Sequence, residues 1–240
     1  VRAESIEGFV LHARDYRDTS QLVDIFTPTY GRVRLVARGS RSHKKNAARL
    51  SPFTQASFSW AGRGELKTLT QFEPSRNLPL EGQYLICGFY LNELLWHLLQ
   101  PEDSHPNLYQ QYQQTLDALR DKQELEPLLR QFELSLLEEV GYGISFEVDS
   151  LGEPIQPELC YGLSPEQGWS VASATNSSAN TGEPNSVSGR IILDIAQNRF
   201  EETSTQRACK KINRLLIDIL LEGRKLNSRE LISQSRLSHS

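Results

Sequence analysis

The chain has 240 residues, 38% of them hydrophobic and 23% charged, with a formal net charge of −4. That length builds one large domain or two smaller ones, each burying its own core. No apolar run is long enough to span a bilayer, and the first residues lack the apolar core of a secretory signal. Three widely spaced cysteines, Cys87, Cys160 and Cys209, suit a reducing compartment and argue against a disulfide framework, so the expected location is cytoplasmic.

The first 75 or so residues read as short β-branched or aromatic strands: Ile6–Ala13, Gln21–Phe26, Arg32–Ala37, Phe53–Trp60 and Glu65–Phe72. Turn formers separate them, among them Thr27-Pro28, Tyr30-Gly31, Ser51-Pro52 and Gly62-Arg63-Gly64. Five short strands at this spacing predict a small barrel or sandwich, either an OB-fold or an SH3-like barrel.

After Pro79 the period changes from two to between three and four. Tyr84–Gln100 is apolar on most sides and reads as a buried helix; Asn107–Arg120 is a more polar helix starting after Pro106. Glu124–Val140 sets Leu125, Leu128, Leu129, Phe132, Leu136 and Val140 on one face, and Gly141 stops it. Thr203–Glu222 repeats the pattern and is closed by Gly223. Between these last two helices, Gly141–Trp169 is turn-rich with room for an irregular hairpin. Ser170–Gly189 is Ser- and Asn-rich, too poor in apolar residues to offset its ordering entropy, and reads as a mobile loop. The expected architecture is therefore α+β: a five-stranded barrel over residues 1–79, then a helical domain over 80–240 with a loop-rich insertion at about 142–195.

No G-x-x-x-x-G-K-[ST] loop cradles a triphosphate, and no G-x-G-x-x-G opens a helix after a strand. The histidines show no H-E-x-x-H, and no cysteine pair has ligand spacing. His97, on the apolar first helix, reads as a core or rim histidine. No nucleophile, base and oxyanion donors assemble, so the reading is of a protein that is not an enzyme and needs no cofactor.

What stands out is charge placement. From Ile25 to Gly64 there are eight Lys or Arg residues and no acid, leaving −12 on the rest of the chain. Such asymmetry predicts a local positive field whose usual partners are polyanions; the plainer alternative is a solvated charged loop. Strand alternation puts Arg32, Arg34 and Arg38 on one side and Val33, Leu35 and Ala37 on the other. The charge then continues along a polar loop through Arg41, Lys44, Lys45 and Arg49. With Arg63 and Lys67 these form a candidate nucleic-acid track, because each neutralised phosphate releases counterions. Phe53, Phe58 and Trp60 are either stacking surfaces for bases or barrel core. Lys210, Lys211 and Arg214, on the last long helix, either extend the path or solvate the helix.

The chain resembles the RecO family of recombination mediators nearly end to end. The likeness is carried by FVLHARDYRDTS (Phe9–Ser20), DIFTPTYGRVRLVARGSRS (Asp24–Ser42), LSPF (Leu50–Phe53), GRGELKTL (Gly62–Leu69), YLNELL (Tyr90–Leu95), LRQFELSLLEEVGYG (Leu129–Gly143) and KLNSREL (Lys225–Leu231). The resemblance implies an N-terminal OB-fold, then a helical domain with an irregular insertion. It also implies a role without catalysis in recombination and gap repair: binding single- and double-stranded DNA, annealing complementary strands, acting on strands coated by the single-stranded DNA-binding protein SSB, and working with RecR so that RecA loads. It further implies nucleoid association during repair. Relatives receive the acidic, apolar SSB tail on the helical domain. The matching residues here are Leu128, Leu129, Arg130 and Phe132, with Arg130 either holding a tail carboxylate or pairing within its helix with Glu126 or Glu133. Many relatives carry a four-cysteine zinc site in the insertion; this chain keeps only Cys160 there, so no zinc is expected.

Overall fold

Five strands close into a barrel in the computed structural model, which describes residues 2–40, 50–172 and 186–231. They are β1 (Arg2–Tyr16), β2 (Ser20–Thr27), β3 (Gly31–Ala37), β4 (Thr54–Ala61) and β5 (Leu66–Asn77). The order around the barrel is β1-β2-β3-β5-β4, with β4 returning antiparallel to β1, and this is an OB-fold. Closure depends on a short parallel pairing of β3 with β5, from Arg34↔Leu66 to Val36↔Thr68. Val10, Val23, Ile25, Val33, Leu35, Phe58 and Trp60 fill the interior. Phe58 and Trp60 are therefore core, and of the two roles open to them stacking falls away; Phe53 is buried as well.

The β2–β3 turn sets the register on which the candidate site depends. Thr27 Oγ1 accepts from Tyr30 N and donates to Gly31 O. Gly31 has φ +55°, and a Cβ there would lie 1.6 Å from the carbonyl oxygen of Asp103, so only glycine fits. Pairing then runs Thr27↔Gly31, Ile25↔Val33, Asp24↔Arg34.

Every residue of β2 is buried, which simple alternation does not anticipate. One side faces the barrel interior and the other lies under two helices, α1 (Gly82–Leu98) and α2 (Pro106–Arg120). Phe9 and Phe26 pack against Tyr109 and Tyr112 of α2, with ring centroids 5.4–6.0 Å apart. Asn92 of α1 donates to Leu11 O at 2.8 Å and accepts from Tyr112 Oη at 2.5 Å. Among the described residues, those up to Leu125 and from Arg224 onward form one compact unit, and Glu126–Gly223 form the second. An expected division after residue 79 parts α1 and α2 from the barrel; these aromatic contacts are the reason both helices stay with it.

The second unit holds most of α3 (Leu125–Glu139), a three-stranded sheet, and α4 (Gly189–Ala196) and α5 (Thr203–Leu221). The sheet runs β7-β6-β8, from β6 (Cys160–Ser164), β7 (Gly168–Val171) and β8 (Ser186–Ser188). Trp169 anchors it through Nε1 donating to Ser145 O at 2.8 Å. Ser170 and Val171 thus end a strand, Ser186–Ser188 form another and Gly189 opens α4, so the mobile-loop expectation fails at both edges; residues 173–185 of that stretch lie outside the described residues. No helix among the described residues is long and apolar enough to cross a membrane.

Candidate nucleic-acid interface

Strand β3 separates its side chains as expected: Val33, Leu35 and Ala37 are buried inside, while Arg32, Arg34 and Val36 are half-buried outside. What lies beneath the arginines is new. Asp24, their neighbour across the β2–β3 ladder, is 2% exposed and accepts from Arg34 Nε at 2.8 Å and Arg34 Nη2 at 3.5 Å. Its Oδ1 is 3.7 Å from Arg32 Nη1, and its Oδ2 accepts from Trp96 Nε1 at 3.2 Å. Arg32 also donates through Nε and Nη2 to Leu99 O. Burial lowers the Arg32 pKa most, with Arg34 adding to the effect and Asp24 opposing it.

Arg32 is therefore a structural cation. As a direct phosphate contact it is corrected by the structure: its donors face an internal carboxylate and a carbonyl. Arg34 keeps more freedom. Its side chain is 36% exposed, and its Nη1 makes no hydrogen bond among the described residues. Arg38 is exposed beyond the end of β3, and Arg63 is exposed in the β4–β5 turn. Lys67 is a second correction. It is buried, donates to Gly64 O at 3.0 Å and pairs with Glu102, because alternation along β5 turns it toward the α1–α2 connection. Arg41, Lys44, Lys45 and Arg49 lie outside the described residues.

Beside Arg34 is a cavity of about 360 Å³, lined among others by Arg32, Glu65, Trp96, His97, Glu102 and Arg224. Trp96 is 36% exposed, and the Arg32 and Arg34 guanidinium carbons stand 5.9 and 5.8 Å from its ring centroid. Arg224 donates through Nη1 to His97 O at 3.3 Å. Burial holds the His97 pKa below the ordinary histidine value, helped by Arg224 and Arg32 and opposed by Glu93. Sequence reasoning missed Trp96 and Arg224 as part of this group, because nothing local in the sequence links residues so far from β3. The Asp24 contact was recoverable: a turn centred on Pro28–Tyr30 places residues 24 and 34 opposite each other.

In the second unit, Lys210 pairs with Glu126 at 2.8 Å, Arg214 lies 3.6 Å from Asp218 at an exposed position, and Lys211 is exposed. Arg130 is buried with Glu133 at 2.9 Å, side chains 5% and 3% exposed, which is the intrahelical alternative. Asn213 of α5 donates to Arg130 O and to Glu133 Oε2. Phe132 is fully buried, Leu129 is buried, and only Leu128 of the four expected tail contacts keeps partial exposure. The apolar row of α3 is thus largely core, and Asn213 of α5 is bonded to the Arg130–Glu133 pair on the same helix. Cys160 is exposed while Cys87 and Cys209 are buried, so the donor set for a four-cysteine zinc site is absent from the insertion.

The chain matches two family models end to end: Recombination protein O N terminal over residues 2–78 and Recombination protein O C terminal over residues 79–230. It is 43% identical to the DNA repair protein RecO of Tolumonas auensis over 231 residues, covering 94% of this chain and 93% of that one. The protein of the same name from Methylococcus capsulatus is 40% identical, with 95% and 92% covered. That of Vibrio cholerae is 38% identical, with 95% and 93% covered.

Proposed function

Because the chain belongs to the recombination protein O family of DNA repair proteins, we propose that it is a non-catalytic mediator that binds single- and double-stranded DNA and anneals complementary strands. It engages strands coated by SSB, and with RecR it helps load RecA. The observation that carries this reading is the full-length family match on an OB barrel whose β3 turns cations outward. Arg34, Arg38 and Arg63 hold phosphates on the barrel, and the expected contacts Arg41, Lys44, Lys45 and Arg49 continue the track. Arg32 acts one step back, fixing the fork of cations through Asp24.

For the SSB tail, the buried Arg130–Glu133 pair favours a different acceptor from the one expected on α3. Leu215 and Ile219 are exposed on α5 one turn apart, beside the exposed Lys211 and Arg214. An acidic, apolar peptide meets both requirements there. Arg130 joins such a site only by giving up its ion pair with Glu133.

The test is annealing of complementary strands coated with SSB, with no nucleotide present. Annealing well above the uncatalysed rate supports the mediator. Binding without annealing, with structured RNA preferred over single-stranded DNA, supports an RNA-binding or scaffold module instead.

A further inference from the structure

The cavity beside β3 has a composition that phosphate tracking alone does not call for. A backbone track needs cations; this cavity adds an exposed indole and a carboxylate. Glu65 lines it and makes no hydrogen bond or ion pair among the described residues. Glu102, the other acid at its edge, is engaged by Lys67. Arg34 contributes its unused Nη1, and Arg224 brings a second guanidinium from the far end of the chain. Trp96 is held by its Nε1 bond to the buried Asp24, so its ring plane is fixed before any ligand arrives.

The geometry points to a single-nucleotide subsite in which one unpaired base of a DNA strand stacks on Trp96 and its phosphate meets Arg34 and Arg224. Charge sets the orientation. Glu65 repels phosphate but accepts from an exocyclic amino group, as carboxylates do from cytosine N4. The base edge therefore points toward Glu65 and the phosphate toward the guanidiniums. Thymine, which has no amino group, is the weakest occupant. A volume of about 360 Å³ falls within the usual range for small-ligand clefts. A duplex cannot deliver a stacked base to this ring, so the subsite separates single strands from double strands. This inference rests on the nucleic-acid reading above and assigns that reading a specific pocket.

The chain carries three tryptophans, and Trp60 and Trp169 are buried, so a change of tryptophan emission on binding reports Trp96. The full chain is titrated with short labelled oligo(dC), oligo(dT) and an abasic deoxyribose-phosphate strand of equal length, reading anisotropy and emission together. Oligo(dC) is expected to quench the emission and to bind more tightly than oligo(dT). Trp96→Ala is expected to weaken oligo(dC) at least about fivefold while leaving the abasic strand unchanged. Trp96→Phe keeps a stacking ring and is expected to retain most of the affinity, which guards against a loss caused by misfolding. Glu65→Gln, with an amide oxygen still able to accept, is expected to narrow the gap between oligo(dC) and oligo(dT).

Equal loss on the base-bearing and abasic strands overturns the subsite, as does no loss on either, while the mediator reading survives. Oligonucleotide affinity unchanged by Trp96→Ala, with loss of binding to an acidic peptide, makes the cavity a protein site and also overturns it. If the unmodified chain binds no oligonucleotide, the functional reading fails first and the subsite with it.

Discussion

Replacing Asp24 with Asn tests the barrel's charge arrangement most directly, because it predicts opposite signs for stability and for binding. Asp24 is 2% exposed and holds Arg34, Arg32 and Trp96. Removing one partner of a buried ion pair costs about 3–5 kcal/mol. Arg34 is partly solvated, which screens its share, and Asn still accepts the Trp96 N–H. The expected loss is thus nearer 2–3 kcal/mol, carried mainly by Arg32. With a urea slope of about 2 kcal/mol/M, the unfolding midpoint falls by roughly 1 M at constant slope. Single-stranded DNA affinity at low salt moves the other way. It is expected to hold or rise, because the outward face gains one uncompensated positive charge. Urea titration followed by emission, with oligonucleotide anisotropy on the same preparation, reads both. A midpoint unchanged within a few tenths of a molar refutes the structural role of Asp24, and a fall in DNA affinity of the folded protein refutes the independence of the two effects.

Arg38→Ala is expected to reduce the slope of log affinity against log salt by about 0.7 without changing stability, whereas Arg32→Ala is expected to destabilise the barrel, as salt titration and urea unfolding together will show. Arg130→Met alone leaves the buried Glu133 carboxylate without its cation, with Asn213 still donating to it, and is expected to cost about 3–5 kcal/mol; adding Glu133→Leu is expected to recover part of it, measured by chemical unfolding. His97 has its folded pKa lowered, chiefly by burial, so the unfolded chain binds the proton more readily; stability is expected to fall as pH drops below about 6.5, and His97→Gln is expected to flatten that acid-side slope in unfolding curves across pH. Thiol labelling of the native chain is expected to modify Cys160 alone, since Cys87 is buried and burial pushes Cys209 up to about 12; modification of Cys209 without denaturant is the contrary result.

The barrel was legible because its strands obey a local rule. Val33, Leu35 and Ala37 alternate with Arg32, Arg34 and Val36, and the TPTYG turn fixes where the alternation starts. The long helices were legible from their apolar spacing and closing glycines. What escaped was set by packing between distant segments. β2 is buried on both sides because α1 and α2 cover it, a fact no residue of β2 encodes. α4 is only eight residues long and follows Ser- and Asn-rich text, so its Ile191, Ile192 and Ile195 spacing is too short to stand out. The site divides the same way. Cations on an outward face follow from strand period, but whether a cation is available depends on its neighbours. Lys67 reads as a surface charge until Glu102 is found beside it, and for Arg130 the sequence leaves a tail carboxylate and an intrahelical pair both open until the structure sets it against Glu133.

An acid beneath a cationic face has a mechanical consequence that a row of arginines alone lacks. Two guanidiniums side by side repel, and on an unsupported surface they splay into solvent, losing side-chain entropy only when a phosphate arrives. Asp24 removes that repulsion and fixes the Arg34 fork, so less ordering would remain for the phosphate contact proposed above. It also halves the net charge of the Arg32–Arg34 pair, which lowers the purely electrostatic part of the affinity and its salt slope. Fewer released counterions per contact make the grip easier to reverse. The annealing proposed above requires release of the product, and a pre-oriented but partly neutralised cation suits that release better than a bare one. The balance is measurable: in Asp24→Asn, dissociation from annealed product is expected to slow even where association with single strands quickens, and equal acceleration of both steps contradicts it.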